Sequence, residues 1–101
     1  MYTVSFTRNY ANNINFQYPV INTASTLNEA IDYIALSKST NSLEHHIFNV
    51  KSDDCELFTV ILSADYIYII SMDMGTRVYD YSHADEARES IKMMVHLMGV
   101  E

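Results

Sequence analysis

Apolar and polar residues alternate at the start of the chain, with Tyr2, Val4 and Phe6 set against Thr3, Ser5 and Thr7. A period of two is the pattern of a half-buried strand. Ile14, Phe16, Tyr18 and Val20 alternate with Asn15 and Gln17, which predicts a second strand over 14–20. Pro19 near its end fits an edge strand or a strand limit, because proline has no amide hydrogen to give to a ladder. Residues 9–13 are then the hairpin loop. After this the period changes. Thr26-Leu27-Asn28-Glu29 has the form of a capping box, a hydroxyl for the third amide and a carboxylate that reaches back. Leu27, Ala30, Ile31, Ile34 and Ala35 follow at helical spacing. The pattern predicts a helix over 26–38, ended by the polar run SKSTNS at 37–42.

The next part returns to period two. Segment 45–51 sets His46, Phe48 and Val50 on one face, and the SDD sequence at 52–54 turns the chain. Segment 56–63, ELFTVILS, is apolar on both faces and is expected to be central. Ala64-Asp65 turns again. Segment 66–72 faces Ile67 and Ile69 one way and Tyr66, Tyr68 and Ile70 the other. Met74-Gly75 turns, and 76–81 runs back as TRVYDY. Connections this short imply an antiparallel meander. Ser82 is the expected cap of a last helix over 83–98, with Ala84, Ala87, Ile91, Met94, Val95 and Met98 as its buried stripe and Gly99 as its stop. The expected fold is therefore α+β: a small antiparallel β-sheet, order ββαββββα along the chain, with two helices packed on one face and the other face partly solvated. Its core is expected to hold Phe6, Leu27, Ile31, Ile34, Phe48, Val60, Leu62, Ile67, Ile69, Ile91, Met94 and Val95.

The 101 residues suit one domain spanning 1–101. Hydrophobic residues make up 49% of the chain, too many for a disordered segment. The single cysteine, Cys55, has no internal disulfide partner, which points to a reducing compartment and a cytoplasmic location. The start, MYTVSFTRNY, lacks a basic-then-apolar signal pattern. The longest apolar stretch, Leu57 to Met72, is broken by Asp65 and falls short of the roughly 20 residues of a spanning helix, so no membrane contact is expected.

Charge changes the picture most. The net charge is −7, and all of it lies in 53–89. That stretch holds Asp53, Asp54, Glu56, Asp65, Asp73, Asp80, Asp85, Glu86 and Glu89 against Arg77 and Arg88 alone. Residues 1–52 balance, and so do 90–101, where Lys92 meets Glu101. An acidic field this localised repels nucleic acid and membrane surfaces and attracts basic partners.

Candidate chemistry is sparse. His45 and His46 are strand neighbours and point to opposite faces. His83 and His96 lie about 19 Å apart along one helix. Neither pair converges on a metal, and no cofactor is expected. Cys55 lies among Asp53, Asp54 and Glu56, with no base beside it to activate a nucleophile. Glycine occurs only at 75 and 99, so no glycine-rich phosphate loop exists. An enzyme is not expected. Tyrosine is more informative: of eight in the chain, Tyr66, Tyr68, Tyr79 and Tyr81 fall in the meander. Tyrosine favours strands in any case, but it also gives interfaces large rigid contact area with a polar tip.

The expectation is a small acidic protein-binding module. Its contact surface comprises Asp53, Asp54, Glu56, Asp73, Asp80, Asp85, Glu86 and Glu89, with Tyr79 and Tyr81 as anchors. The expected partner is a basic protein, such as a nucleic-acid-binding protein or a nuclease complex, inhibited by carboxylates standing where phosphates would sit. Direct binding of nucleic acid is not expected. Phage-encoded anti-defence proteins, including anti-CRISPRs, and immunity proteins of toxin systems share this size and charge, although no motif of any one family is present. The alternative is a self-associating module, a homodimer formed through an exposed edge or tyrosine face.

Overall fold

Alternation along six segments produces six strands, all antiparallel to their neighbours. The computed structural model describes residues 1–10, 20–34, 36 and 44–99. The strands are β1 (Tyr2–Tyr10), β2 (Val20–Ala24), β3 (Glu44–Ser52), β4 (Cys55–Leu62), β5 (Tyr66–Ser71) and β6 (Gly75–Asp80). They form one sheet in the order β2-β1-β3-β4-β5-β6. Helix α1 (Leu27–Asp32) follows β2, and helix α2 (Ala84–Leu97) follows β6 through a 3-10 turn at Tyr81–His83. Six strands and two helices among the described residues make this an α+β protein. No helix among the described residues is long and apolar enough to cross a membrane.

Register sets the core. Phe6 faces Phe48, Phe48 faces Val60, Val60 faces Ile69, and Ile69 faces Arg77. Val4, Val50 and Phe58 form a parallel row and are all buried. Helix α1 contributes Leu27, Ala30 and Ile31 to the same buried cluster, and α2 contributes Ala87, Ile91, Met94 and Val95. Helix α1 lies against β1 and β2, and α2 lies against β5 and β6. Every expected core residue is buried except Phe6, which is half-buried and packs against the cluster.

The structure corrects the sequence reading at several points. Asn9 and Tyr10, expected in a hairpin loop, continue β1, because β3 is long enough to pair with them at His45 and Glu44. Of the second strand expected over 14–20, residues 14–19 lie outside the described residues; the strand described begins at Val20. Helix α1 starts as expected, with the Thr26 hydroxyl accepting from the Glu29 amide at 3.2 Å. It is six residues long, not the expected span to 38, and Tyr33 is its C-cap. The Ile34 amide bonds the Ile31 carbonyl at 2.9 Å and the Leu36 amide bonds the Ile34 carbonyl at 2.7 Å. This tightening turns both Ile34 and Leu36 into the core, which an ideal helical spacing would not do. Ser82 is not the cap of the last helix. The Asp80 carboxylate accepts from the Ser82 amide and caps the 3-10 turn that leads into α2.

Segment 56–63 reads as apolar on both faces partly because of a bulge. Val50 pairs with Phe58, yet Lys51 pairs with Glu56, so Leu57 is an extra residue on β4. Leu57 and Phe58 are consecutive and both belong to the one buried cluster, as the bulge allows; regular alternation would send one of them to the uncovered face.

Ile31→Ala and Ile91→Ala should each cost about 2–5 kcal/mol in chemical denaturation, because both remove fully buried methylene groups. Val78→Thr, on the uncovered face, should cost less than about 0.5 kcal/mol. Equal losses at all three sites would mean that the helices cover the wrong face.

Candidate functional site

The acidic stretch folds into two separate surfaces and one turn. The first surface lies at the end of the sheet where β3 turns into β4 and β5 into β6. Asp53 and Asp54 form the β3–β4 turn, with Asp53 in the left-handed region at φ 53°, a conformation aspartate tolerates better than most residues. The Asp53 amide bonds the Met1 carbonyl at 3.1 Å. Glu56 projects on the uncovered face, opposite Lys51 in the ladder, and accepts from the Asn49 amide group at 2.6 Å. Asp73 belongs to the β5–β6 turn, completed by Gly75 at φ 80°, and lines a small hollow of about 120 Å³ with Glu56, Ile70 and Met72.

The second surface is a groove of about 370 Å³ between β6 and α2. Arg77 and Tyr79 line it from the strand; Asp85, Glu86, Glu89, Ser90 and Met93 line it from the helix. These helical residues recur at intervals of three and four, so they share one flank of α2. Buried Ala87, Ile91, Met94 and Val95 fix that flank's direction by anchoring the neighbouring stripe in the core. The helix also segregates its charge. Its three carboxylates line the groove, while Arg88 turns toward α1 and bonds the Asp32 carboxylate at 2.7 Å. Lys92 reaches Glu89 at 3.3 Å. Arg77 donates to the Ser90 hydroxyl at 3.4 Å. Asp85 and Glu86 form no ion pair among the described residues, and both sit in the first turn of α2, where the helix dipole favours negative charge.

The remaining expected site residues build the turn between the surfaces. Tyr81 donates its hydroxyl to the Ser63 carbonyl and is half-buried against the core. Burial, with the Asp65 charge nearby, raises its pKa above the ordinary tyrosine value. Asp80 accepts from the Ser82 amide at 3.0 Å and lies 2.8 Å from His83 Nδ1. The Ser82 hydroxyl also bonds Asp80 and lies 3.1 Å from the same ring nitrogen. A hydrolytic triad needs carboxylate and hydroxyl on opposite nitrogens of the imidazole. Here both meet Nδ1, the geometry of a cap.

The structure thus joins Tyr79, Asp85, Glu86 and Glu89, and separates them from Asp53, Asp54, Glu56 and Asp73. Sequence reasoning missed Arg77, Ser90 and Met93 as members of the groove. A helical wheel would have found the last two, since Ser90 and Met93 continue the row through Glu86. Among the described residues, no group of three or more His, Cys, Asp or Glu could hold a metal ion. Cys55 is exposed and unpaired with another cysteine.

The sheet face opposite the helices carries a third feature. Ile47, Ile61, Tyr68 and Val78 form a row across four strands, flanked by Tyr66 and Ile70. Val78 is 50% exposed and Tyr66 47%. Comparison of this chain with protein-family models, curated proteins and solved structures finds no match.

Hydrogen bonds from Ser82 and then His83 lower the Asp80 pKa below 3.8, and the bond to Asp80 raises the His83 pKa above 6.5. The histidine's contribution to stability is complete below its unfolded value and disappears as pH rises through its raised folded value. The aspartate's is complete above its unfolded value and disappears as pH falls through its lowered folded value. Both are present between roughly pH 4 and 6.5. NMR titration should find the His83 ring protonating above 6.5, and Asp80→Asn should bring it down. An unchanged titration in that variant would break the assignment.

Proposed function

We propose that this protein is a small acidic binding module, without catalytic activity, that engages a basic protein through the β6–α2 groove. The segregation of charge on α2 carries the reading: three carboxylates flank Tyr79 and Met93, while the helix's arginine is committed to Asp32. Tyr79 and Met93 supply contact area, and the carboxylates supply steering and register. A partner of this charge is a protein that handles nucleic acid, such as a nuclease complex, and occupancy of its basic surface inhibits it. The module itself does not bind DNA or RNA, since phosphate binding needs cationic side chains to release counterions. The end surface of Asp53, Asp54, Glu56 and Asp73 extends the same field and speeds encounter. A free, exposed Cys55 is in keeping with a cytoplasmic setting.

A second reading, self-association, draws support from the apolar row on the uncovered sheet face, which two copies could bury between them. Ionic strength separates the two. Steered association with a basic partner weakens as salt rises, whereas a face-to-face sheet dimer does not.

The test is association kinetics with the partner isolated from the native host by affinity capture. Replacing Asp85, Glu86 and Glu89 by lysine should slow association roughly tenfold or more and flatten its salt dependence. Tyr79→Ala should mainly speed dissociation. Wild-type kinetics in both variants would reject the groove as the contact surface.

A further inference from the structure

β6 is the outermost strand on its side of the sheet. One edge pairs with β5 from Gly75 to Asp80, and no described strand pairs with the other. In an antiparallel strand, alternate residues direct their N–H and C=O groups to opposite edges. Part of the β6 backbone therefore presents donors and acceptors outward. Natural edges are blunted by proline, lysine, bulges or inward charges. β6 has no proline or lysine and keeps a continuous register with β5. Its one inward charge, Arg77, is drawn aside to Ser90 on α2.

We infer that this edge and the groove beside it take up an extended segment of a basic protein by strand addition. The inference rests on the reading of the groove as a protein-binding site and specifies how the partner is held. In this mode backbone bonds give affinity, and pockets for alternate side chains give specificity. A strand added outside β6 directs every second side chain to the helix side of the sheet, into the groove. Successive side chains on that side are about 6.6 Å apart, close to the roughly 5.4 Å turn of a helix. They therefore meet successive turns of α2, which runs along the groove from Asp85 to Met93. A large apolar side chain rests on Tyr79 and Met93, and an arginine or lysine two residues away reaches Glu86 or Glu89.

Charge selects the occupant. Three carboxylates line the groove with Arg77, which has a hydroxyl partner, and Lys92 pairs with Glu89 alone, so Asp85 and Glu86 keep their charge without an ion pair among the described residues. A second copy of this chain, itself of net charge −7, would set like charge against these carboxylates. A segment of a basic protein brings the opposite sign.

The probe is a blocked, fluorescent octapeptide that alternates threonine with arginine and leucine. It is measured by anisotropy against the full chain at low salt. Two N-methylated forms follow, one blocking the odd amides and one the even. Strand addition uses one set only, so one form should bind roughly tenfold or more weakly and the other like the parent. NMR titration should move the amides of 75–80 more than those of 53–56. Glu86→Lys with Glu89→Lys, both on exposed positions, should weaken binding of the parent peptide. Equal binding by all three peptides would overturn strand addition while leaving the acidic groove as a basic-protein site. Selective methylation effects with undiminished binding of a glutamate-for-arginine peptide would instead overturn the charge reading and leave the edge. No binding of any peptide, or a dimer in sedimentation with β6 amides protected, would overturn the inference.

Discussion

The seam between α2 and the sheet is the constraint on which the rest depends. Ile67 and Ile69 from β5 meet Ile91, Met94 and Val95 in a cluster from which water is excluded. Large buried aliphatic side chains contribute about 1.5–3 kcal/mol each, enough to fix both the distance and the rotation of the helix. Once the rotation is fixed, every other residue of α2 has a determined direction. Asp85, Glu86, Glu89 and Met93 must lie over β6, and Arg88 must turn to α1. The start of the helix is fixed as well. Tyr81 is tied to the β4–β5 turn through Ser63, and Asp80 caps the 3-10 turn. The groove is a consequence of packing, and its chemistry is a consequence of which residues the packing leaves outside.

Electrostatics acts on a longer scale. The two acidic surfaces carry charges that gain little from one another and repel across water. Beyond the local gains at Asp80 and at the start of α2, such a distribution adds little to the stability of the fold, and self-repulsion works against it. In the proposed function its use lies in association, where focused negative potential raises encounter rates with a basic surface. The ion pairs among the described residues are mostly exposed ones, such as Lys92 with Glu89, and are of the kind that contribute about 0–1 kcal/mol. Stability comes from the apolar cluster, and the acidic surfaces contribute little to it.

Much of the fold was legible because period two and period 3.6 are local signals. Phe48, Val60, Ile69 and Ile91 could be assigned to the core from spacing alone. What escaped the sequence was non-local or cooperative. The bulge at Leu57 depends on how β4 registers with β3, and no residue type marks it. The early end of α1 depends on a competition at Ile34 and Leu36, where burial of both side chains outweighs another helical turn. Ser82 does not cap the last helix because Asp80, two residues earlier, engages both its amide and its hydroxyl and caps the 3-10 turn instead. The candidate site was half legible. Charge counting found Asp85, Glu86 and Glu89, and strand chemistry found Tyr79, but only the seam brings them together. The same counting grouped Asp53, Asp54 and Asp73 with them, although the sheet carries those residues to a different surface. Residue type alone makes Tyr81 an expected anchor, while the structure engages its hydroxyl with Ser63.

The β6–α2 groove is the proposed place of contact with a partner. Hydrogen exchange on the complex with the host partner tests it most directly, because it reads the backbone of both acidic surfaces at once. Binding in the groove should give new protection at the amides of 75–80 and 85–93, with little change at 53–56. Protection confined to the β3–β4 and β5–β6 turns, with β6 exchanging as in the free protein, would contradict it.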